Sequence, residues 1–391
     1  MNQNSNNVCV LTGPSATNAS SIPISNLLEV LCPFFGNIYA IVSDKAKIQS
    51  KKYDEKIIFS SINQNFSTNI ITRIINYLFA QMEISYKLFK FENFVNFYIF
   101  FIGAELLIIP LIVAKILRKY VIIALPGSAP MAVKAQKDPF SKIIAAMGTI
   151  TYTLSNKIII YSPNLIEAWS LERYKHKISI AREHFLDFDK FKTKTVFRER
   201  GNSIGYIGRL SEEKGILNFV KAMPEILKQK NNKIHFLVGG YGQLRDDIES
   251  YFRDEKIEDN VKLTGWIPHD ELPGYLNQLK LLVLPSYTEG LPNVILEAMA
   301  CGTPVLATSV GAIPDFIKDA ETGFLMENNS PECIAYNVIR VLEHPDLEGV
   351  TERARALVEH EFTFERAMER WREVLEEVFE EDHKWSLEDI S

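Results

Sequence analysis

The chain has 391 residues, 47% of them hydrophobic and 24% charged, which suits a folded protein of two or three domains and excludes a disordered one. Its net charge of −6 is unevenly divided: residues 1–190 hold 20 Lys and Arg against 13 Asp and Glu, whereas residues 191–391 hold 23 against 36. Cys9, Cys32, Cys301 and Cys333 form no CxxC pair, which argues against a metal cluster or a disulfide framework and fits a reducing cytoplasm.

The N-terminus, from Met1 to Asn7, lacks the basic-then-apolar order of a secretory signal. Val8–Leu11 reads as a short buried strand, followed by a loop from Gly13 to Ser21 and an apolar-periodic segment through Leu31. Strand-like runs follow at Ile38–Val42, Ile57–Phe59, Asn96–Ile102, Tyr120–Ala124 and Lys157–Tyr161, mostly separated by segments of helix length. The apolar stretch Phe94–Leu117 contains Glu105, Pro110 and Lys115. It therefore reads as a strand followed by a helix over Ala104–Lys119 rather than as a membrane span. Asn69–Lys90 has the spacing of an amphipathic helix, with Ile71, Ile74, Ile75, Leu78, Met82, Tyr86 and Phe89 on its apolar face. Such a helix ordinarily covers the core of its own domain. The other reading is a membrane-surface or acceptor-lipid role, favoured by the basic first half and by Tyr77 and Phe79 at the margin.

A second strand series begins at Ser203–Ile207 and continues through Ile234–Val238, Val261–Thr264, Leu281–Leu284 and Pro304–Ala307 to a turn at Glu321–Leu325. Alternating strands and helices imply parallel, doubly wound sheets. The expected organisation is a first domain over 1–190, a linker over 191–202, a second domain over 203–363 and a C-terminal helical segment over 364–391. Two such domains would face a cleft, and ligands bind beyond the strand C-termini in sheets of this kind.

The chemistry-bearing motifs lie in the second series. Gly205-Tyr206-Ile207-Gly208-Arg209-Leu210 leads to Lys214-Gly215, a glycine-rich turn with a forked donor and a point charge suited to phosphate. By itself this turn also reads as two solvated cations. Val238-Gly239-Gly240-Tyr241-Gly242 lacks the G-x-G-x-x-G spacing of a dinucleotide fingerprint. Gly265-Trp266-Ile267-Pro268 ends a strand where a planar base could lie, although Trp266 reads more readily as a packing residue. The strongest motif runs from Glu289-Gly290-Leu291-Pro292-Asn293-Val294 to Glu297-Ala298-Met299-Ala300-Cys301-Gly302-Thr303-Pro304-Val305. Pro292 suits a first helical turn, and a helix N-terminus there favours anions through its unsatisfied amides and dipole. Glu297 falls among apolar neighbours and needs hydrogen-bond partners. Ribose hydroxyls would supply them, and a nearby backbone amide is the alternative.

These residues resemble family 4 retaining glycosyltransferases, which have the two-domain GT-B fold: α/β, with two doubly wound Rossmann-like domains. The resemblance covers about Ser203–Phe324. It rests on two glutamates separated by seven residues, the Gly-x-x-Gly-Arg-Leu-x-x-x-Lys-Gly loop and Glu-Ala-Met-Ala-Cys-Gly-Thr-Pro-Val. It implies a nucleotide-diphosphate sugar as donor, with Arg209 and Lys214 at the diphosphate and Glu289 at the sugar. The amides of Gly290, Leu291, Asn293 and Val294 would line sugar and phosphate, and Glu297 would hold the ribose. Gly208, Gly240, Trp266 and Ile267 would complete the donor pocket. No metal and no cofactor is implied, and the C-terminal helix over 364–391 would cross back to the first domain. The acceptor would be a lipid-linked or polysaccharide precursor, met by first-domain loops at Gly13, Gly127 and Ser128. The implied setting is cytoplasmic, with peripheral contact at an anionic membrane face and no nucleic acid as partner.

Two departures from the family pattern stand out. A histidine common after the strand at Tyr120–Ala124 is replaced by Leu125-Pro126-Gly127-Ser128. The Asn-Gly common after the strand near Ile178–Ala181 is replaced by Arg182-Glu183-His184. Glu183 and His184 read as surface residues flanking the linker, with replacement of the missing histidine as the other reading. The missing histidine leaves open a binding protein without transfer activity; an epimerase is a further alternative, opposed by the glutamate pair.

Overall fold

The computed structural model describes residues 7–14, 20–44, 55–62, 69–135 and 140–382, so residues 15–19 of the expected Gly13–Ser21 loop lie outside the described residues. The chain divides into two compact units. Unit 1 comprises residues 1–185 with 364–391, and unit 2 comprises 186–363.

The strands of unit 1 are β1 (Val8–Thr12), β2 (Ile38–Ser43), β3 (Ile57–Ile62), β4 (Phe97–Phe101), β5 (Tyr120–Leu125), β6 (Lys157–Ile160) and β7 (Ile178–Ile180). They form one parallel sheet in the order β3-β2-β1-β4-β5-β6-β7. β1, β4, β5 and β6 are buried along their whole length, which explains their near-continuous apolar sequences. One face of the sheet is closed by the helices Ser21–Leu31 and Phe364–Asp382. Trp371, Leu375 and Val378 pack there with Leu27, Leu28 and Ile99. Phe379 meets Phe97 edge-on at 5.2 Å between ring centroids. The 364–382 segment is therefore part of the core of unit 1, tied to it further by Lys157 Nζ and Glu377 at 2.9 Å.

The Phe94–Leu117 stretch forms β4, a short 3-10 turn at Ala104–Leu106 and a helix at Ile108–Ile116. The amphipathic segment forms one helix, Ile70–Phe91, whose N-cap Asn69 accepts hydrogen bonds from the amides of Ile71 and Thr72. Its orientation corrects the expectation that the apolar face covers the core of its own domain. The buried residues are Ala80, Gln81, Ile84, Ser85 and Leu88. Those expected inside, including Ile71, Leu78, Met82 and Phe89, are exposed. The buried stripe tolerates polar groups because they are satisfied. Gln81 Oε1 accepts from Ile109 N at 3.1 Å, and Ser85 Oγ donates to the Gln81 carbonyl at 2.7 Å.

Unit 2 contains β8 (Ser203–Ile207), β9 (His235–Gly239), β10 (Val261–Gly265), β11 (Leu281–Leu284), β12 (Val305–Thr308) and β13 (Phe324–Met326). All pair in parallel, in the order β10-β9-β8-β11-β12-β13. The edge strand β13 begins within the segment read as a turn. Residues 191–202, expected as a linker, are anchored in unit 2. Arg200 is buried there and donates from Nη1 to Thr303 Oγ1 at 2.8 Å and from Nη2 to the Cys301 carbonyl at 2.6 Å. Asn277 Oδ1 accepts from Lys194 N at 2.6 Å. Buried carbonyls that need a donor hold this segment against unit 2.

Candidate functional site

Strand order reverses between β8 and β11 in unit 2, since β9 and β10 lie on one side and β12 and β13 on the other. At such a switch point the loops leaving the two strands diverge and leave a crevice at the strand C-termini. Arg209 and Lys214 follow β8, and Ser286 and Glu289 follow β11. Tertiary structure joins the two motifs directly: Lys214 Nζ lies 2.6 Å from Glu289 Oε1, and Ser286 Oγ donates to the same oxygen at 2.7 Å. Both bonds fall on Oε1. Glu289 is 8% exposed, so its charge is held largely out of water by one cation and one hydroxyl.

Arg209 is different. Its side chain is 62% exposed, and its bond to Glu213 Oε1 is 3.3 Å long. Glu213, absent from the sequence expectations, is buried and organises the turn. Ser211 Oγ donates to its Oε1 at 2.6 Å, and its backbone carbonyl accepts from Tyr287 N at 2.9 Å. Burial acts to raise the Glu213 carboxyl, but Ser211, Arg209 and Lys214 outweigh it and hold it below the usual carboxylate range.

Close backbone approach explains two glycines here. Gly240 has φ +135°, and a Cβ there would lie 1.8 Å from the Gly208 carbonyl oxygen. Gly311, at φ +60°, would place a Cβ 2.0 Å from the Glu289 carbonyl oxygen. The turns after β8 and β9 thus pack backbone on backbone, as do the Glu289-Gly290 and Gly311-Ala312 turns, where Ala312 N donates to the Gly290 carbonyl at 3.0 Å.

The helix Asn293–Ala300 begins after extended Pro292 with no side-chain cap. Gly290 and Leu291 are buried, while Asn293 and Val294 are partly exposed at its first turn. Glu297 is 4% exposed, and its Oε1 lies 2.8 Å from His269 Nε2. His269 Nδ1 lies 3.0 Å from Lys190 Nζ, which also reaches Asp270 at 2.6 Å. An ammonium only donates, so Nδ1 accepts and the ring proton sits on Nε2, directed at Glu297. His269 follows the Gly265–Pro268 motif by one residue. No periodicity marks it; its signal was only its proximity to a strand end. Ile267 lies over Gly239, where an added Cβ would come within 2.5 Å of its Cδ1. Trp266, read more readily as a packing residue, is 60% exposed beside it.

In unit 1 the corresponding switch point lies between β1 and β4. Gly13 N donates to the Ile102 carbonyl at 2.8 Å. Glu105, just beyond β4, is buried and accepts from Ala129 N at 3.0 Å and from Tyr152 Oη at 2.6 Å. It thereby fixes the backbone directly after Gly127 and Ser128. Ser128 is buried, whereas Gly127 faces open space. Burial pushes the Glu105 carboxyl up to about 7, against the opposing bonds from Tyr152 and Ala129.

Glu183 and His184 are not surface residues: they are 1% and 4% exposed. Tyr161 Oη donates to Glu183 Oε1 at 2.6 Å, and the His184 ring stands edge-on to Tyr161 at 4.7 Å. Burial raises Glu183 to about 7. Proximity to the expected linker had suggested exposure; the packing of β6 and β7 buries them instead.

Two parallel sheets of seven and six strands with flanking helices define a GT-B fold. Known structures agree over nearly the whole chain. Anabaena Alr3699/HepE, solved in complex with UDP and glucose, superposes with a TM-score of 0.74 at 15% identity, covering 94% of this chain and 98% of that one. Sucrose-phosphate synthase from Thermosynechococcus elongatus gives 0.75 at 18% identity, covering 96% and 99%. Residues 187–359, within unit 2, match the family described as Glycosyl transferases group 1. The amylovoran biosynthesis glycosyltransferase AmsK of Erwinia amylovora is 33% identical over 179 residues, 44% of each chain. The chain spans about half the length of the curated relatives it matches.

Proposed function

We propose that this protein is a retaining, metal-independent glycosyltransferase. It moves a sugar from a nucleotide-diphosphate sugar to a hydroxyl of a lipid-linked or polysaccharide-precursor acceptor. The observation that carries the reading is the junction of Lys214, Glu289 and Ser286 at the switch point of unit 2, with Arg209 exposed beside it. Support comes from the group 1 domain, from AmsK as a named glycosyltransferase and from the UDP and glucose bound by HepE.

Arg209 and Lys214 stabilise the negative charge that develops on the departing nucleoside diphosphate. Fixed charges that need no reorganisation supply much of the effect of an enzyme. Lys214 also orients Glu289, whose Oε2 is directed to a hydroxyl of the donor sugar. First-turn amides of Asn293–Ala300 receive phosphate oxygens, and Glu297, held by His269, receives the ribose. The acceptor hydroxyl then attacks the anomeric carbon from the face the diphosphate leaves, forming the new C–O bond as the old one breaks and giving its proton to the leaving group. Contact with the membrane is peripheral, at the cytoplasmic face.

Leu125-Pro126-Gly127-Ser128, in place of a histidine, favours a second reading: a protein that binds nucleotide sugar without transferring it. Incubation with labelled nucleotide sugars and membrane lipid extract, with and without chelator, separates the two. Chelator-insensitive transfer with retained anomeric configuration supports the proposal. Binding without transfer or donor hydrolysis establishes the second reading, and chelator-sensitive transfer refutes metal independence.

A further inference from the structure

Unit 1 carries an apolar surface that the donor chemistry does not use. Along the Ile70–Phe91 helix, Ile71, Ile75, Phe79, Met82, Tyr86 and Phe89 are between 46% and 70% exposed. The spacing places them on one side, opposite the stripe of Ala80, Ile84 and Leu88 that fixes the helix to its unit. The Ile108–Ile116 helix packs against this helix, and the Ser141–Leu154 helix packs against that one. Each adds exposed aliphatic groups: Ile112 and Ile116 from the first, Ile143 and Ile150 from the second. Solvated monomers rarely expose so many large apolar side chains on adjoining elements.

We infer that this three-helix face is a docking surface for an anionic lipid bilayer. The inference deepens the reading of a lipid-linked acceptor and rests on it for its purpose. Charge selects the occupant. Residues 70–154 carry nine Lys and Arg against four Asp and Glu, and one of the four, Glu105, is buried. Lys90, Arg118 and Lys142 on or beside these helices are exposed. A second copy docking through the same face would bring these cations against their own equivalents, because a two-fold contact is self-complementary. A bilayer rich in anionic lipid supplies both acyl chains for the isoleucines and phenylalanines and negative headgroups for the basic rim. Because its opposite stripe is packed on unit 1, the helix lies along the interface rather than across it. At about 1.5 Å per residue the apolar strip from Ile71 to Phe89 runs roughly 27 Å.

The test is flotation of the full chain with vesicles of phosphatidylcholine alone or mixed with phosphatidylglycerol, at low and high salt. Binding is expected to the mixed vesicles, weakening as salt rises. Phe79→Ser combined with Met82→Ser is expected to lower partition at least about ten-fold, with circular dichroism unchanged because both residues are exposed. Lys90→Glu combined with Arg118→Glu leaves the apolar strip intact and is expected to remove the preference for phosphatidylglycerol. Failure of the wild type to float with either vesicle, or flotation of the serine variant at the wild-type level, overturns the proposal. So does a concentration-dependent dimer broken by the serine variant. Thermal shifts with UDP, GDP, ADP and dTDP and a transfer assay on the same preparations keep the two readings apart. Nucleotide binding without flotation overturns docking alone; flotation without nucleotide binding or transfer overturns the transferase reading alone.

Discussion

The two units place carboxylates at corresponding ends of similar sheets and treat them in opposite ways. In unit 2, Glu289 meets Lys214, Glu213 meets Arg209 and Glu297 meets His269, each within 3.3 Å. In unit 1, Glu105 and Glu183 are buried against Tyr152, Tyr161 and a backbone amide, and burial raises both to about 7. Lys214 and Arg209 give Glu289 and Glu213 a cationic partner, and the Nε2–H of a neutral His269 gives Glu297 a donor. A carboxyl buried from water against a phenol is driven toward its neutral form and serves packing and loop position. The same fold thus provides one polar crevice lined with charge and one sheet end closed by shared protons.

The largest effect expected to sharpen this contrast lies in the core of unit 1. Trp371→Ala should cost about 3–5 kcal/mol, as aromatic truncations in a closed core do. Hydrogen exchange should localise the loss to unit 1. Equal loss of protection in unit 2 would mean that the 364–382 helix is not specific to the first core.

Glu289→Gln tests the charged crevice. Transfer should fall about 10²–10³-fold, comparable to the loss of a preorganised electrostatic group. Nucleoside diphosphate affinity, read by calorimetry, should change little; full activity would refute the assigned role.

Breaking the second pair should give a smaller effect confined to binding. His269→Asn and Glu297→Gln should each raise the donor KM about ten-fold with less change in kcat. In the double variant the losses should be non-additive, because the residues share one hydrogen bond. Additive losses would show that His269 does not act through Glu297.

The smallest effect is a pH dependence confined to unit 1. Raised carboxyl pKa values mean that the folded state binds protons more tightly than the unfolded chain. Their contribution is fully present below the unfolded value of about 4.5 and is lost as pH rises through about 7. Combined Glu105→Gln and Glu183→Gln substitution should flatten the decline in unit 1 stability across that window, measured by denaturant titration at several pH values. An unchanged slope would place the titration elsewhere.

Much of unit 2 is legible in its sequence. The Glu289–Glu297 spacing, the Gly208–Lys214 turn and the strand starts are local signals, set by residues within a dozen positions of one another. His269, Glu213 and Ser286 escaped notice because each matters through a partner: His269 through a glutamate 28 residues away, Ser286 through a carboxylate already paired to Lys214. Glu183 and His184 were misplaced at the surface because burial there depends on β6 and β7 meeting, which no local pattern encodes.

The Ile70–Phe91 helix shows the same limit most clearly. Its periodicity established that it is a helix with an apolar face. Ser85 is satisfied within the helix by the Gln81 carbonyl; which way the face points depended on whether the Gln81 side chain could be satisfied inside, and only the packed unit supplies the Ile109 amide that does so. Sequence by itself therefore determined the parallel α/β architecture, the glutamate-pair motif and the amphipathic helix, since period and spacing are properties of neighbouring residues. Tertiary structure alone decided which carboxylates found cations, which became buried among phenols, and which helix face was left to the outside. The contacts of Glu289, Glu297, Glu105, Glu183 and Gln81 each join residues far apart in the chain; Arg209–Glu213, four residues apart, is the local exception.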